Sequence, residues 1–192
     1  MKSMGRADIK FRDFVNLTEV ELRDVLLVRN EERVRHNMYD QKIISMADHM
    51  RWCAALRGRT DCRYWGIYFN GKFIGAVDLT SLDLSNGFAE WGFYLSSKSL
   101  GFGAIVEFLA MDHFFKDMGL KNLKACVLED NYKVYNMHIQ SFGFSPAPCF
   151  SLEKDGRKYL GLLLNQDEWY AKREKLLVSV GALLTQMTSS WE

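Results

Sequence analysis

Between Arg63 and Ala104 the chain spells three strands that hand over to a short glycine loop and a helix, and few folds accommodate that run. Arg63–Phe69 is aromatic and β-branched, Asn70-Gly71 is a two-residue hairpin turn, and Phe73–Leu79 pairs back. Ser81–Gly87 turns the chain again. In Ala89–Leu95, Trp91, Phe93 and Leu95 alternate with Glu90, Gly92 and Tyr94, so one face is apolar. An antiparallel meander ending in Lys98-Ser-Leu-Gly101-Phe-Gly103-Ala104 excludes a Rossmann start, which needs a parallel βαβ unit and a third glycine where this chain has Val106. It also lacks the G-x-x-x-x-G-K-[ST] spacing of a Walker A loop.

The rest of the pattern surrounds that run. A first strand is expected over 8–15. Thr18 and Glu21 form a capping box that opens a helix over about 19–30. Residues 31–44 read as irregular, Ser45 caps a second helix of about ten residues, and Gly58 ends it. After the loop, Ala104–Met118 reads as one helix with Gly119 as its cap, then a strand over Leu123–Leu128 and a helix over Asn131–Phe142. Strands near Phe150–Glu153 and Lys158–Leu164 precede an amphipathic helix over Asp167–Leu184, after which the chain is expected to fray. The order β-αα-βββ-α-β-α-ββ predicts one α+β domain over 1–192, a mixed central sheet flanked by helices, with 165–192 as a C-terminal helical tail.

Composition narrows the function. Hydrophobic residues at 48% suffice for a core, and aromatics at 14% suit a groove for a large organic ligand. A net charge of +1 with scattered Lys and Arg argues against nucleic acid. The first ten residues lack the apolar run of a signal peptide, and no window is long and apolar enough for a membrane span, so a cytoplasmic location is expected. Cys53, Cys62, Cys126 and Cys149 form no C-x-x-C pair and no cluster with His36, His49, His113 or His138, so they read as reduced thiols in or near the core and no metal is expected.

A strand, a glycine loop and a helix N-terminus make a general anion site. Gly101 and Gly103 let backbone approach phosphate oxygens, and Lys98 adds a cation. The same glycines would equally serve a tight strand-to-helix turn.

The element order and this loop together resemble the GNAT superfamily of acyl-CoA N-acyltransferases. Lys98-x-x-Gly101-x-Gly103 is similar to its [Q/R]-x-x-G-x-[G/A] signature, with Lys in place of Gln or Arg. Asn131 and Gly143-Phe144 match a second GNAT segment, in which His138 stands where Tyr is usual and one extra residue precedes Gly143. Three further stretches resemble the PseH group, nucleotide-sugar N-acetyltransferases of the pseudaminic acid pathway. They are Val28-Arg29-Asn30 with Val34-Arg35 and Met38-Tyr39; Asp48-His49-Met50-Arg51-Trp52; and Gly75, Asp78-Leu79 with Ala89-Glu90-Trp91-Gly92-Phe93-Tyr94.

The resemblance implies direct attack of an amine on the thioester of acetyl-CoA. It assigns acetyl-CoA to Phe93, Tyr94, Leu95 and Ser96 at a splayed strand end, to the loop residues Lys98, Gly101, Phe102, Gly103 and Ala104, and to Asn131, Tyr135 and His138. Glu90 or Asp78 would take the amine's proton, and His138 or Tyr135 would protonate the leaving thiolate. Arg29, Asn30, Met38 and Tyr39, with Asp78 and Glu90, would line the acceptor side, Arg29 pairing with phosphate and Tyr39 stacking on a ring. Each has a plainer reading: Glu90 and Arg29 as salt-bridged or solvated charges, Met38 and Trp52 as packing, His138 and Tyr135 as helix residues without chemistry. The acceptor is expected to be an amino-sugar nucleotide. A protein or small-molecule amine, and a non-catalytic acyl-CoA-binding domain, are the rivals. A homodimer is compatible with the sequence.

Overall fold

A computed structural model describes residues 6–192; residues 1–5, on which the signal-peptide expectation rests in part, lie outside the described residues. The elements run β1 (Ala7–Asp13), α1 (Glu19–Arg29), α2 (Glu32–His36), α3 (Met46–Ala55), β2 (Arg63–Phe69), β3 (Lys72–Asp83), β4 (Phe88–Leu95), α4 (Gly103–Asp112), β5 (Asn122–Leu128), α5 (Tyr132–Asn136), β6 (Ser145–Pro146), β7 (Leu152–Lys154), β8 (Arg157–Asn165), α6 (Gln166–Leu184) and β9 (Met187–Trp191). One mixed sheet orders them β6-β8-β5-β4-β3-β2-β1-β9, with β7 paired to β8. The meander β2-β3-β4 is antiparallel throughout, and β4 meets β5 in parallel.

Helices cover both faces. Beneath α4 and α6, Val77, Leu79, Trp91, Phe108, Met111, Phe114 and Trp169 build the larger core. Beneath α1 and α3, Phe14, Leu17, Val25, Cys53, Leu56 and Ala76 build a smaller one. Strand alternation assigns the two sides: Trp91, Phe93 and Leu95 point to the first, while Ala76 and Tyr94 point to the second. Thr18 and Glu21 do form the capping box that opens α1, and Ser45 caps α3.

Several expectations change. The 31–44 segment contains the short α2, centred on the buried Val34. The third strand runs on to Asp83 through a bulge at Ser81, whose φ is +48°, and Asp83 accepts from the amides of Ser85 and Asn86 to make the turn. Helices expected as continuous over 104–118 and 131–142 instead end in π-helical turns, His113–Asp117 and Met137–Phe142. The second absorbs the extra residue that the sequence places before Gly143, which then closes the turn in the left-handed region at φ +86°. The last residues do not fray. β9 pairs in parallel with β1, and Trp191 stacks between Phe11 at 3.9 Å and His113 at 4.0 Å. The preceding α6 buries Trp169 completely, so 165–192 is built into the sheet and the core. Among the thiols, Cys53 and Cys62 are buried, Cys126 is half-buried and Cys149 is exposed rather than near the core.

Candidate active site

The site begins where two strands part. β4 pairs with β5 only over Phe88–Glu90 against Asn122–Lys124. Beyond Glu90, β4 stays hydrogen-bonded to β3 on one side while β5 follows β8, which leaves one backbone edge of Trp91–Leu95 facing a slot. That slot is lined by Phe93, Leu95, Leu100, Gly103, Val127, Asn131 and His138, among others. Geometry therefore supplies unpaired peptide groups along an extended ligand path, ending at the N-terminus of α4.

The loop at that end is tied internally. Ser96 donates its amide to Ile74 O at 2.8 Å and its hydroxyl to Ser99 at 3.0 Å. A Cβ at Gly101 or Gly103 would meet nothing within 4 Å, and neither residue has a positive φ. Packing and backbone strain therefore do not require glycine at these positions; the space in front of the backbone is open, as a bound pyrophosphate needs. Lys98 and Ala104 are exposed beside it. Two expected ligand residues fit less well. Phe102 turns its ring onto Phe69 at 4.6 Å and donates its amide to Ser99 O, and Ser96 is buried and spent on the loop's own bonds.

A second cavity opens on the other side of β4, under α1 and α3. Its walls include Arg29, Met38, Tyr39, Trp52, Tyr64, Asp78, Thr80, Glu90, Gly92 and Tyr94. The two cavities share Asn37, Met38, Trp91, Gly92, Phe93, Tyr94 and Cys126, so they meet at the middle of β4. Asp78 faces Gly92 across the β3–β4 pair; a Cβ there would come 3.5 Å from Asp78 Oδ2, so the glycine keeps the carboxylate accessible. Burial, reinforced by the negative charge of Glu90, pushes the Asp78 carboxyl up to about 7, against a smaller opposing pull from Arg29. Asp78 has no hydrogen-bond partner among the described residues.

Glu90, the other candidate base, is occupied. Tyr39 donates its hydroxyl to Glu90 Oε1 at 2.7 Å and Lys124 donates to Oε2 at 2.8 Å. The plainer reading, a salt-bridged strand residue, describes it. Burial and that bond to Glu90 raise the Tyr39 hydroxyl well above its ordinary value, so it stays a donor.

The segment after α2 crosses both cavities as a strap. Tyr159 donates to Met38 O at 3.0 Å and packs edge-on against Tyr39 at 4.8 Å. Asn30, expected on the acceptor, instead donates to Ile44 O and accepts from Ile44 N, at 2.9 and 3.0 Å. Both ends of its side chain are held there, and it lines neither cavity. Arg29 donates Nη2 to Asp40 O, while its Nη1 is buried without a partner. Trp52, read from sequence as packing, is half-buried against Tyr64 and lines the cavity.

His138 and Tyr135 separate in space. His138 lines the slot, buried between Trp91 and Phe144, and its Nδ1 lies 2.6 Å from Glu107 Oε1. Tyr135 packs against the larger core and is not on the slot's wall. Asn131 makes no capping bond with its side chain, which borders the slot. Sequence reasoning missed Glu107, Tyr64, Thr80, Lys124 and Cys126. Glu107 had a visible signal: it is the one charge in the apolar run Gly103–Met111. Among the described residues no group of His, Cys, Asp and Glu is placed to hold a metal, and no helix is long and apolar enough to cross a membrane.

Comparison with known proteins agrees with this geometry. Residues 13–144 match the acetyltransferase (GNAT) domain family. Acetyltransferase PseH of Campylobacter jejuni is 22% identical over 160 residues, covering 83% of this chain and 96% of the relative. The crystal structure of C. jejuni N-acetyltransferase PseH in complex with acetyl coenzyme A superposes with a TM-score of 0.64 at 20% identity, covering 82% of this chain and 99% of that one. Spermidine N-acetyltransferase from Vibrio cholerae, in complex with CoA and spermine, gives a TM-score of 0.73 at 16% identity over 84% of this chain and 98% of that one. With the strand order, the splayed slot and the loop all in place over the matched span, the chain belongs to the acetyltransferase (GNAT) family.

Proposed function

We propose that this chain is an acetyl-CoA-dependent N-acetyltransferase whose acceptor is the primary amine of an amino-sugar nucleotide, acting in a pseudaminic-acid-type pathway in the cytoplasm. The observation that carries the reading is the meeting of two cavities at Gly92–Tyr94 with Asp78 directly behind. An elongated donor entering from α4 and an amine entering from under α1 would reach each other only there.

Roles follow from position. Lys98, Gly101 and Gly103 receive the pyrophosphate, and the open edge of Phe93–Leu95 pairs with the pantetheine arm. Asp78 accepts a proton from the ammonium; a base titrating near neutrality is suited to that task. His138, on the slot wall, protonates the departing thiolate. On the acceptor side, the unpartnered Arg29 Nη1 offers a buried donor to a nucleotide phosphate, and Trp52, Tyr64 and Tyr39 supply aromatic faces for a base and a sugar ring. Glu90 holds Tyr39 and Lys124 in place and adds the field that keeps Asp78 basic. Holding both reactants in one groove contributes by proximity.

Purified protein with acetyl-CoA, scored by thiol release against UDP-linked amino sugars, spermidine and peptides, tests this. Release with a UDP-linked amino sugar is expected. Release with spermidine or peptides alone overturns the acceptor assignment. CoA binding without release on any amine overturns catalysis and leaves a binding domain.

A further inference from the structure

The mechanism above leaves one buried charge unused. Glu107 on α4 is fully buried, its Oε2 has no partner, and its single side-chain hydrogen bond is to His138 Nδ1. His138 is itself 3% exposed, and the rings of Trp91 and Phe144 flank it at 5.5 and 4.9 Å. Nε2 of His138 has no protein partner among the described residues, and the side chain borders the donor slot.

A carboxylate alone in such surroundings is costly, and so is an imidazolium alone. The pair is therefore favoured in its net-neutral form. That form has two arrangements: carboxylate with imidazolium, or carboxylic acid with neutral imidazole accepting at Nδ1. Both leave the same feature, a proton on Nε2. A neutral histidine without Glu107 is free to choose the other tautomer, and its Nε2 is then bare. Burial raises the Glu107 carboxyl, in the direction that lets it hold the shared proton.

We propose that Glu107 is the positioning residue of the proton donor: it fixes the His138 ring and keeps Nε2 protonated for the leaving thiolate. The proposal rests on His138 being the acid. As the tetrahedral adduct collapses, the carbon–sulfur bond breaks with its electron pair going to sulfur. Nε2 gives its proton to sulfur, and the shared proton settles on Nδ1. The pair is left with one negative charge on Glu107. An ammonium that becomes an amide N–H sheds two protons; one restores the pair and one is released, so the reaction balances. The π-helical turn over Met137–Phe142 contains His138, and the sequence's extra residue therefore sits in the segment that sets this ring's position.

The test is a double-substitution cycle read by thiol release with a UDP-linked amino sugar, together with NMR of the histidine ring. Glu107→Gln keeps shape and hydrogen bonding but cannot supply a proton. It is expected to lower kcat by about ten- to a hundredfold with KM for acetyl-CoA within about twofold. His138→Phe is expected to lower kcat by about a hundredfold, and adding Glu107→Gln to it should cost less than about threefold more. Full turnover in His138→Phe overturns the acid assignment itself. A slow His138→Phe beside a fully active Glu107→Gln overturns the role of Glu107 alone. Equal losses from Glu107→Gln in both backgrounds show packing and overturn it too. The ring spectrum needs no amine and no variant: Nε2 protonated at neutral pH is expected, and a bare Nε2 overturns the proposal.

Discussion

Asp78 and Glu90 stand on adjacent strands, point to the same face and differ in what surrounds them. Glu90 meets a lysine and a tyrosine hydroxyl, and both oxygens are engaged. Asp78 meets a glycine and a cavity, and its proton affinity rises as its hydration falls. Asp78→Asn is therefore expected to lower kcat/KM by about a hundredfold or more while leaving CoA binding intact, checked by thiol release and by titration with CoA. The wild-type kcat/KM should rise with pH through about 7, and the variant should lose that rise. Stability carries the opposite sign. The folded carboxyl holds its proton more tightly than the unfolded one, so the contribution is fully present below the ordinary carboxylate range and is lost as pH climbs through about 7. Thermal melts from pH 4 to 8 should show wild type losing ground to Asp78→Asn across that window. The sequence named both carboxylates as candidates. It could not rank them, because the ranking depends on Lys124 and Tyr39, distant in the chain by 34 and 51 residues from Glu90.

At the scale of the element, the glycine loop combines local and long-range causes. Its position between a strand and a helix was legible from spacing. Its internal closure by Ser96 and Ser99, and the turning of Phe102 onto Phe69, were not. Because a side chain at Gly103 has room in the protein itself, Gly103→Val should fold with a melting temperature near that of wild type. It should still raise KM for acetyl-CoA by about tenfold, the equivalent of about 1.4 kcal/mol, by filling the space a phosphate requires. A large loss of stability with unchanged KM would mean the glycine serves the turn only. The π-helical turns follow the same division: an extra residue before Gly143 is countable in the sequence, but only the packing of Phe142 and Phe144 on the core forces the helix to absorb it there.

At the scale of the molecule, the C-terminal strand completes the sheet. β9 covers the edge that β1 would otherwise expose, and Trp191 adds its ring to Phe11, Trp65 and His113. Trp191→Ala is expected to cost about 2–3 kcal/mol, below the usual range for a fully enclosed ring because Trp191 is half-buried. Chemical denaturation would measure it. CoA affinity should stay unchanged at temperatures where the variant is folded, since the Trp191 ring packs on Phe11, Trp65 and His113 and lines neither cavity of the site.

The sequence by itself determined the α+β order, the antiparallel meander, the helix caps and the loop, because hairpin turns, capping boxes and strand alternation are set by residues a few positions apart. Tertiary structure decided the rest. It joined the last strand to the first, spent Asn30 on Ile44, pinned Glu90, left Asp78 free and set Glu107 against His138. Each of those outcomes is a matter of which polar group finds a partner when water is excluded. That is settled only when segments far apart in the chain pack together.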